Sequence, residues 1–196
     1  LLAEYFQRKL IIKSDKVVTL TKEAKKIILE EFHLIDSSRI ETIPTCTNIH
    51  RFKLLDFPDQ DKYEIIFGHL GSVDTAYNID PILNMVKGFQ EINKKVKIIF
   101  FSRGSHQHIK SRIRYHKLLE GSYEIKEVDF ESLPSQLSKI HFGCFFANYS
   151  KSIVGSLPTK IGEFLSSGRP IICNPANTDI SEIIKNNKVG LVERLE

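Results

Sequence analysis

The sequence has few cysteines and no long apolar run. Its three cysteines, Cys46, Cys144 and Cys173, stand far apart, and none forms a C-x-x-C pair. Sparse and odd cysteine usage fits a reducing compartment. Each cysteine lies in or beside an apolar strand-like run, so we expect all three to be small buried side chains. No apolar run approaches the ~20 residues of a membrane-spanning helix, and no signal-peptide pattern is visible. We therefore expect a cytoplasmic protein.

The excess of basic over acidic residues is also small. The chain carries 28 Lys and Arg against 24 Asp and Glu, a formal net charge of +4, and no basic run is longer than that at Lys94-Lys95. Nucleic-acid-binding proteins concentrate far more basic residues on one face. We therefore expect no nucleic-acid partner. The apolar fraction of 41% and the charged fraction of 27% are those of an ordinary soluble globular protein.

Several short catalytic motifs are absent. The sequence contains no P-loop and no G-x-S-x-G, and "GHLGSVD" at 68–74 is a loose glycine loop rather than a G-x-G-x-x-G. His106, His108 and His116 lie near one predicted helix, but no His, Cys and Asp set has the spacing of metal ligands. We therefore expect no metal site.

A regular alternation of strands and helices begins at residue 63. Several of the strand-like runs are continuously apolar, as in strands that are buried on both faces. The strands are predicted at 63–71, 96–102, 123–130, 141–147, 170–174 and 189–192, with helices at 80–92, 106–120, 132–140 and 179–187 and in the stretch from residue 156. This α/β pattern predicts a Rossmann-like, doubly wound parallel sheet. Ligands of such sheets bind outside the carboxyl ends of the strands.

The part before residue 63 is organised differently. Helices are predicted at 3–13, where Phe6 and Leu10 share one face, and at 22–32, with short strands at 16–21 and 39–44. Residues 51–62 have no sustained periodicity and contain a proline, and we interpret them as a linker.

The stretch "SLPTKIGEFLSSGRPIICN" at 156–174 contains the most informative helix. Ser156 is expected to cap its start, Pro158 fits the first turn and Gly168 fits the end. Its apolar arc should pack on the sheet, while Thr159 and Glu163 lie one turn apart on the other face.

The start of this helix follows the carboxyl end of a central strand. A helix N-terminus carries unpaired N–H donors and partial positive charge, which suits a phosphate. Glu163 could accept hydrogen bonds from two adjacent sugar hydroxyls. Phosphate beside a diol describes a nucleotide.

This stretch resembles the donor-binding motif of the GT-B glycosyltransferases of group 1 (family 4). Further segments are similar to that family. "SDKVVTLTKEAKKIILEEF" (14–32) resembles the last strand-helix unit of its N-terminal domain, "IETIPTCTNIHRF" (40–52) its interdomain segment, and 65–92 the start of its C-terminal domain. The resemblance implies the end of an N-terminal acceptor domain and the interdomain segment at 1–50, a linker at 51–62, and a nucleotide-sugar-binding domain at 63–196. Since the chain starts at Leu1 without a methionine, we expect a fragment of a longer protein.

The resemblance implies roles for individual residues. Glu163 would bind the ribose hydroxyls of the donor, and the start of the helix and the glycine loop would meet the diphosphate. The residues concerned are Pro158, Thr159 and Lys160 on the helix, Gly71 and Ser72 in the loop, and Val128 and Phe130 near the base. Phe130 could equally belong to the core.

The sequence also departs from the family pattern. Many members carry a second glutamate eight residues before the ribose glutamate, where this chain has Gly155. The usual Arg and Lys after the glycine loop are missing from "GSVDTAYNID", so Arg103 after the next strand is expected to supply positive charge instead. The identity of the sugar and the catalytic competence stay open.

The resemblance implies a retaining glycosyltransferase of the surface-polysaccharide type. It would use a UDP- or GDP-linked sugar without a metal ion and act on a glycan or lipid-linked acceptor. A lipid-linked acceptor would bring the protein to the inner face of the cytoplasmic membrane through the missing domain. That domain would also hold the catalytic groups, so the fragment should be inactive alone.

Two alternatives stay open at this point. One is a sugar-nucleotide epimerase of the same fold, which would need no acceptor. The other is a non-catalytic α/β binding or regulatory module, such as a receiver-like domain, for which Asp129 is the nearest match to a phosphorylated aspartate.

Overall fold

The computed structural model describes residues 2–33, 35–58, 63–73 and 76–194, without the side chains of residues 3 and 4. The strands are β1 (Val17–Thr19), β2 (Ile40–Thr42), β3 (Ile65–Leu70), β4 (Val96–Phe101), β5 (Tyr123–Lys126), β6 (Phe142–Phe145), β7 (Ile171–Cys173) and β8 (Gly190–Val192). The helices are α1 (Leu2–Lys13), α2 (Lys22–Glu31), α3 (Asp80–Glu91), α4 (His106–Tyr115), α5 (Leu133–Leu137), α6 (Lys151–Val154), α7 (Thr159–Ser166) and α8 (Thr178–Asn186), with a 3₁₀ turn at Ser37–Arg39.

Six parallel strands form the main sheet in the order β5-β4-β3-β6-β7-β8. Strand β3 is hydrogen-bonded to β4 on one side and to β6 on the other. The chain therefore adds β4 and β5 on one side of β3, and then β6, β7 and β8 on the other side. This order confirms the predicted doubly wound, Rossmann-like sheet.

Apolar side chains cover both faces of the sheet. In β4, Ile98 and Phe100 pack into the core on one face, while Ile99 and Phe101 pack into the core on the other. Burial on both sides explains why the central strands are continuous apolar runs in the sequence.

Helix α7 lies unusually close to the sheet. A Cβ atom at Gly143 of β6 would lie 2.6 Å from the ring of Phe164, so any larger residue would push the helix away. Phe164 is fully buried in the core against which α7 packs. This contact fixes α7 close to β6.

An N-terminal unit of α1, α2, β1 and β2 packs on the main domain. Its small core contains Ile11, Phe32, Ile35 and Ile40. The carboxylate of Asp179 in α8 accepts hydrogen bonds from the backbone amides of Lys22 (2.7 Å) and Glu23 (3.2 Å), which are the first residues of α2.

The N-terminal unit exposes several apolar side chains. Phe6 and Leu10, predicted to share one face of α1, are both exposed, and the helix packs through Ile11 instead. Val18 and Ile43, in and beside the small sheet, are exposed as well.

Residues 51–58 of the predicted linker are fixed by a buried arginine. The Arg169 side chain has no exposed surface; its Nε donates to the carbonyl of Leu137 (3.0 Å) and one terminal nitrogen donates to the carbonyls of Leu55 (3.1 Å) and Asp56. Burial lowers the pKa of Arg169, and the nearby charge of Asp56 acts in the opposite direction. Linker residues 59–62 lie outside the described part of the chain.

Several predicted boundaries were wrong. Helix α4 ends at Tyr115 because Lys117 adopts a left-handed backbone conformation. Strand β5 ends at Lys126, opposite the last residue of β4, so residues 127–130 have no strand to pair with. The short helix α6 was not predicted.

Two predictions for single side chains were also wrong. Cys46 is exposed in the segment between β2 and β3, whereas Cys144 and Cys173 are buried as expected. Ser156 does not cap α7, since its hydroxyl donates to the carbonyl of Ile153 (3.1 Å) and Pro158 occupies the cap position.

None of the helices in the described part of the chain is long and apolar enough to cross a membrane.

Replacing Arg169 by Met should destabilise the fold strongly. Methionine preserves much of the buried volume but removes the donors to three backbone carbonyls. Buried acceptors without partners are costly, and we expect the free energy of unfolding to fall by about 3 kcal/mol. Chemical denaturation of R169M would measure the change. The matched control is Arg114→Met, an exposed arginine of α4; equal stability of the two variants would contradict a tethering role for Arg169.

Candidate functional site

A cleft of about 390 Å³ opens at the carboxyl ends of β3, β4 and β5. It is lined by Leu70, Gly71, Ser72, Phe101, Arg103, Gly104, Val128, Asp129, Phe130 and Leu133. Five of the nine residues predicted for a donor site therefore line one cleft. They come from three loops that are far apart in sequence, and the parallel sheet brings them to the same edge.

Gly71, where the glycine loop leaves β3, lines this cleft. The backbone of Gly71 has a φ of +109°, a conformation that side-chain-bearing residues rarely adopt, and its amide donates to the carbonyl of Phe101 (2.9 Å). A Cβ atom here would lie 3.1 Å from Nζ of Lys160. Glycine therefore lets the loop turn and lets the lysine approach the backbone.

Arg103 spans two of the cleft loops. Its Nε donates to the backbone carbonyl of Val128 (3.2 Å), which holds the guanidinium between the loops after β4 and β5. The side chain is exposed to solvent beside the cleft. It lies where it could meet an anionic ligand.

Asp129 in the same loop has a structural partner. Its carboxylate accepts hydrogen bonds from the amide and the hydroxyl of Ser132, both at 2.7 Å, just before α5. These hydrogen bonds from Ser132 are the main reason why the pKa of Asp129 is lowered, and Arg103 adds a smaller effect. The aspartate thus stabilises the start of α5.

Phe130 is not a core residue. It is 53% exposed, and its ring meets Phe52 edge-on at 6.1 Å. The guanidinium of Arg51 lies 3.9 Å from the ring centroid of Phe130 and forms an ion pair with Glu131 (2.9 Å). No sequence pattern marks this arginine, because it lies in the aperiodic segment that was predicted to be a linker.

The N-terminus of α7 has no side-chain cap. Pro158 occupies the cap position, and a proline side chain has no oxygen to offer the first-turn amides. The segment between β2 and β3 crosses this helix. Thr47 Oγ1 is 3.5 Å from the carbonyl of Thr159 and would lie 2.7 Å from a Cβ at Gly162. Thr159 itself is exposed.

Lys160 connects α7 with the cleft. Its side chain turns toward β3, where Nζ lies 3.8 Å from the ring centroid of Tyr77 and beside Gly71. The resemblance implied a role for the backbone amide of Lys160. The position of its ammonium group was not anticipated.

Glu163 is buried although it carries a carboxyl group. Only 8% of the residue is exposed, whereas its predicted place was a face of α7 away from the apolar arc. Burial raises the pKa of Glu163, while a hydrogen bond from Thr159 and the charge of Lys160 oppose the rise. Pro158, Thr159, Lys160 and Glu163 are not among the residues that line the 390 Å³ cleft.

Gly155 faces the N-terminal unit. A Cβ atom at this position would lie 3.7 Å from Cβ of Ala24 in α2. Gly155 also lines a second cavity of about 660 Å³ between α1, α2 and α6. A glutamate at position 155 would therefore point toward the N-terminal unit.

His69 is a buried polar residue that sequence reasoning missed. It is 1% exposed on β3, and neither ring nitrogen has a hydrogen-bond partner among the described residues. Burial, together with the nearby charge of Lys160, lowers the pKa of His69 to about 3, with a partial offset from the backbone of Ser72 and Cys144. The only sequence signal was a histidine inside an apolar strand.

The histidines near α4 take part in local contacts. His106 Nε2 lies 2.8 Å from the carbonyl of Ser102, and His116 Nε2 lies 3.1 Å from the carboxylate of Asp80, which also pairs with Arg112. The described residues contain no group of three or more His, Cys, Asp and Glu side chains able to hold a metal ion. Metal independence of the chemistry stays a prediction.

No protein-family model matches the chain, and no curated protein matches its sequence. Solved structures do match it. TarM aligns with 100% of the chain and 36% of its own length, at 20% identity and a TM-score of 0.73. A point mutant of TarM from S. aureus, in complex with fondaparinux, alpha-GlcNAc-glycerol and UDP, covers 98% of the chain and 36% of its own length, at 21% identity and a TM-score of 0.70.

Two further structures extend the comparison. WaaG, a glycosyltransferase involved in lipopolysaccharide biosynthesis, covers 90% of the chain and 48% of its own length, at 9% identity and a TM-score of 0.72. Anabaena HepE in complex with UDP and glucose covers 92% of the chain and 49% of its own length, at 10% identity and a TM-score of 0.65. The chain thus spans between a third and half of the length of these structures. Its fold is the Rossmann-like C-terminal domain fold of GT-B glycosyltransferases, as the sequence resemblance implied.

Glu163→Gln should make the protein more stable at neutral pH. The raised pKa of Glu163 means that the folded state disfavours the ionised carboxylate, so wild-type stability falls as the pH rises above the ordinary value of 4.5. The gain from the neutral amide should be present at pH 8 and shrink as the pH approaches 4.5. Thermal melts across this range would measure it. Glu91→Gln, at an exposed position of α3, is the control; a gain of equal size in both variants would contradict the effect of burial.

Proposed function

We propose that this chain is the donor-binding part of a glycosyltransferase that uses a nucleoside-diphosphate sugar. The observation that carries the proposal is the meeting of Gly71, Lys160 and the uncapped start of α7 at the carboxyl end of β3. In doubly wound sheets this edge is where ligands bind. Two of the matching structures, the TarM mutant and HepE, contain UDP.

The diphosphate of the donor would lie between the glycine loop and α7. The first-turn amides of α7 provide hydrogen-bond donors and the positive end of the helix dipole. Ser72 and Arg103 line the adjoining cleft. These groups would offset the charge that develops on the leaving nucleoside diphosphate, so the chemistry would need no metal ion.

The nucleoside would be held by α7 and the loop after β5. Glu163 would accept hydrogen bonds from the two ribose hydroxyls, with Pro158 and Thr159 beside it at the start of the helix. Val128 and Phe130, on the far side of the cleft from Gly71, would contact the base. A carboxylate that is kept buried despite its unfavourable ionisation is typical of a residue retained for binding.

The transfer would break the bond between the anomeric carbon and the phosphate oxygen. The nucleoside diphosphate leaves with the bonding electrons, and an acceptor hydroxyl forms the new glycosidic bond and loses its proton. We propose retention of the anomeric configuration and a glycan or lipid-linked acceptor, as in cell-surface polysaccharide synthesis. Among the matching structures, WaaG is involved in lipopolysaccharide biosynthesis.

The acceptor-binding and catalytic groups are expected outside these 196 residues. The chain covers 36–49% of the TarM, WaaG and HepE structures. We therefore propose that the chain alone binds the nucleotide but turns over little donor. A lipid-linked acceptor would place the whole enzyme at the cytoplasmic face of a membrane.

The rivals differ in what they require of the site. In a receiver-like module Asp129 would have to be available for phosphorylation, but its carboxylate is engaged by Ser132. An epimerase of the same fold would change the sugar of the donor without an acceptor. Incubation of the chain with a UDP- or GDP-sugar alone, followed by product analysis, separates that activity from donor binding.

Calorimetric titration with UDP, GDP and ADP would test the proposal. We expect one nucleotide to bind selectively and Glu163→Ala to weaken it about tenfold, a loss of about 1.4 kcal/mol. The 2′-deoxy form of the same nucleotide should lose much less from the substitution, because Glu163 would no longer have two hydroxyls to bind.

Glu91→Ala, which removes an exposed carboxylate of α3, should bind like the wild type. If a folded wild-type chain binds none of the three nucleotides, the donor-site assignment is wrong.

A further inference from the structure

The ammonium group of Lys160 is held against an aromatic ring. Nζ lies 3.8 Å from the ring centroid of Tyr77 and 5.7 Å from that of Phe145. A cation over the face of an aromatic ring is attracted by the ring quadrupole. The same Nζ lies 3.1 Å from the place a Cβ of Gly71 would occupy. The contact with Tyr77 thus accompanies the approach of the lysine to the glycine loop.

Tyr77 is itself fixed from two directions. Its backbone forms an antiparallel bridge with Ala147, directly after β6, and the neighbouring amide of Asn78 donates to the carbonyl of Phe146 (3.1 Å). Its ring meets Phe145 edge-on at 5.7 Å. The ring therefore has a defined place above the carboxyl ends of β3 and β6, and it can define the place of the lysine.

The loop that carries Tyr77 contains no basic residue of its own. The segment "GSVDTAYNID" at 71–80 has neither Arg nor Lys. His69, directly below the loop, is buried, and its ring meets the Tyr77 ring edge-on at 6.3 Å. A pKa of about 3 keeps His69 neutral at physiological pH. Lys160 of α7 therefore brings positive charge directly to Gly71, while Arg103 lines the adjoining cleft.

We propose that Tyr77 is a positioning residue that holds the Lys160 ammonium at the glycine loop, where it binds the diphosphate of a nucleotide. This inference rests on the proposed function and adds a residue to it. Lys160 is the binding group in this arrangement. Tyr77 touches the lysine and not the ligand, and it restricts a long flexible side chain to the productive place.

The test compares diphosphates with nucleosides. UDP, GDP, uridine and guanosine are titrated into the wild-type chain and into Lys160→Met, Tyr77→Leu, Tyr77→Phe and the Lys160→Met/Tyr77→Leu double variant. We expect Lys160→Met to lower the affinity for the bound diphosphate about tenfold and Tyr77→Leu to lower it three- to fivefold. Tyr77→Phe, which keeps the ring, should stay within twofold of the wild type, and the affinity for the nucleoside should not change.

The double variant isolates the positioning role. Once the lysine is gone, removal of the ring should cost nothing more, so the double variant should bind the diphosphate like Lys160→Met alone. Tyr115→Leu is the matched control, because Tyr115 also lies under a cation, Arg112 at 4.3 Å, but is the last residue of α4. Circular dichroism and thermal melts identify a variant that has lost its fold, and Tyr77→Met, which also removes the ring, then replaces Tyr77→Leu.

The outcomes distinguish the two proposals. If Lys160→Met weakens diphosphate binding and Tyr77→Leu does not, the positioning role is overturned and the donor site stands. Additive losses in the double variant, or equal losses for nucleoside and diphosphate, overturn it as well. If the folded wild type binds none of UDP, GDP and ADP, the donor site and this inference are overturned together.

Discussion

The central strand β3 is paired in parallel on both sides, and the rest of the molecule depends on this constraint. Strands β4 and β6 flank β3. The chain forms β4 and β5 on one side of β3, and then returns to form β6, β7 and β8 on the other side. The loops that follow β3 and β6 therefore meet above the same carboxyl edge. The glycine loop, the Tyr77–Ala147 bridge and the start of α7 all lie there because of this reversal.

Much of the fold could be predicted from the sequence because its determinants are local. Central strands are apolar throughout, since both faces are buried, and the helices show apolar spacing with recognisable ends such as Gly168. Prediction failed where the outcome depends on a neighbour. Strand β5 ends opposite the last residue of β4, and nothing in the sequence of residues 127–130 predicts that the strand stops before them. The exposure of α1 was equally invisible, because it depends on what packs against that helix.

The candidate site also combines features that could be predicted from the sequence with features that could not. Loop positions at strand ends, such as Gly71, Arg103 and Val128, could be predicted to converge because parallel strands share a carboxyl edge. The direction of the Lys160 side chain could not, because it runs toward Tyr77, in a distant part of the chain. Buried polar groups were missed for a related reason. A histidine or glutamate in a sequence does not show whether its surroundings are wet or dry.

The hydrogen bonds that tie the start of α2 to Asp179 have a consequence for local stability. The β1–β2 pair is only three residues long on each side and exposes apolar side chains, so it cannot hold itself together. The β1–β2 pair therefore depends for its order on the docking of α2 against α8. Amide hydrogens of β1 and β2 should thus exchange with solvent whenever α2 leaves α8, without unfolding of the large sheet. Hydrogen exchange in this unit would report the undocking of the two helices.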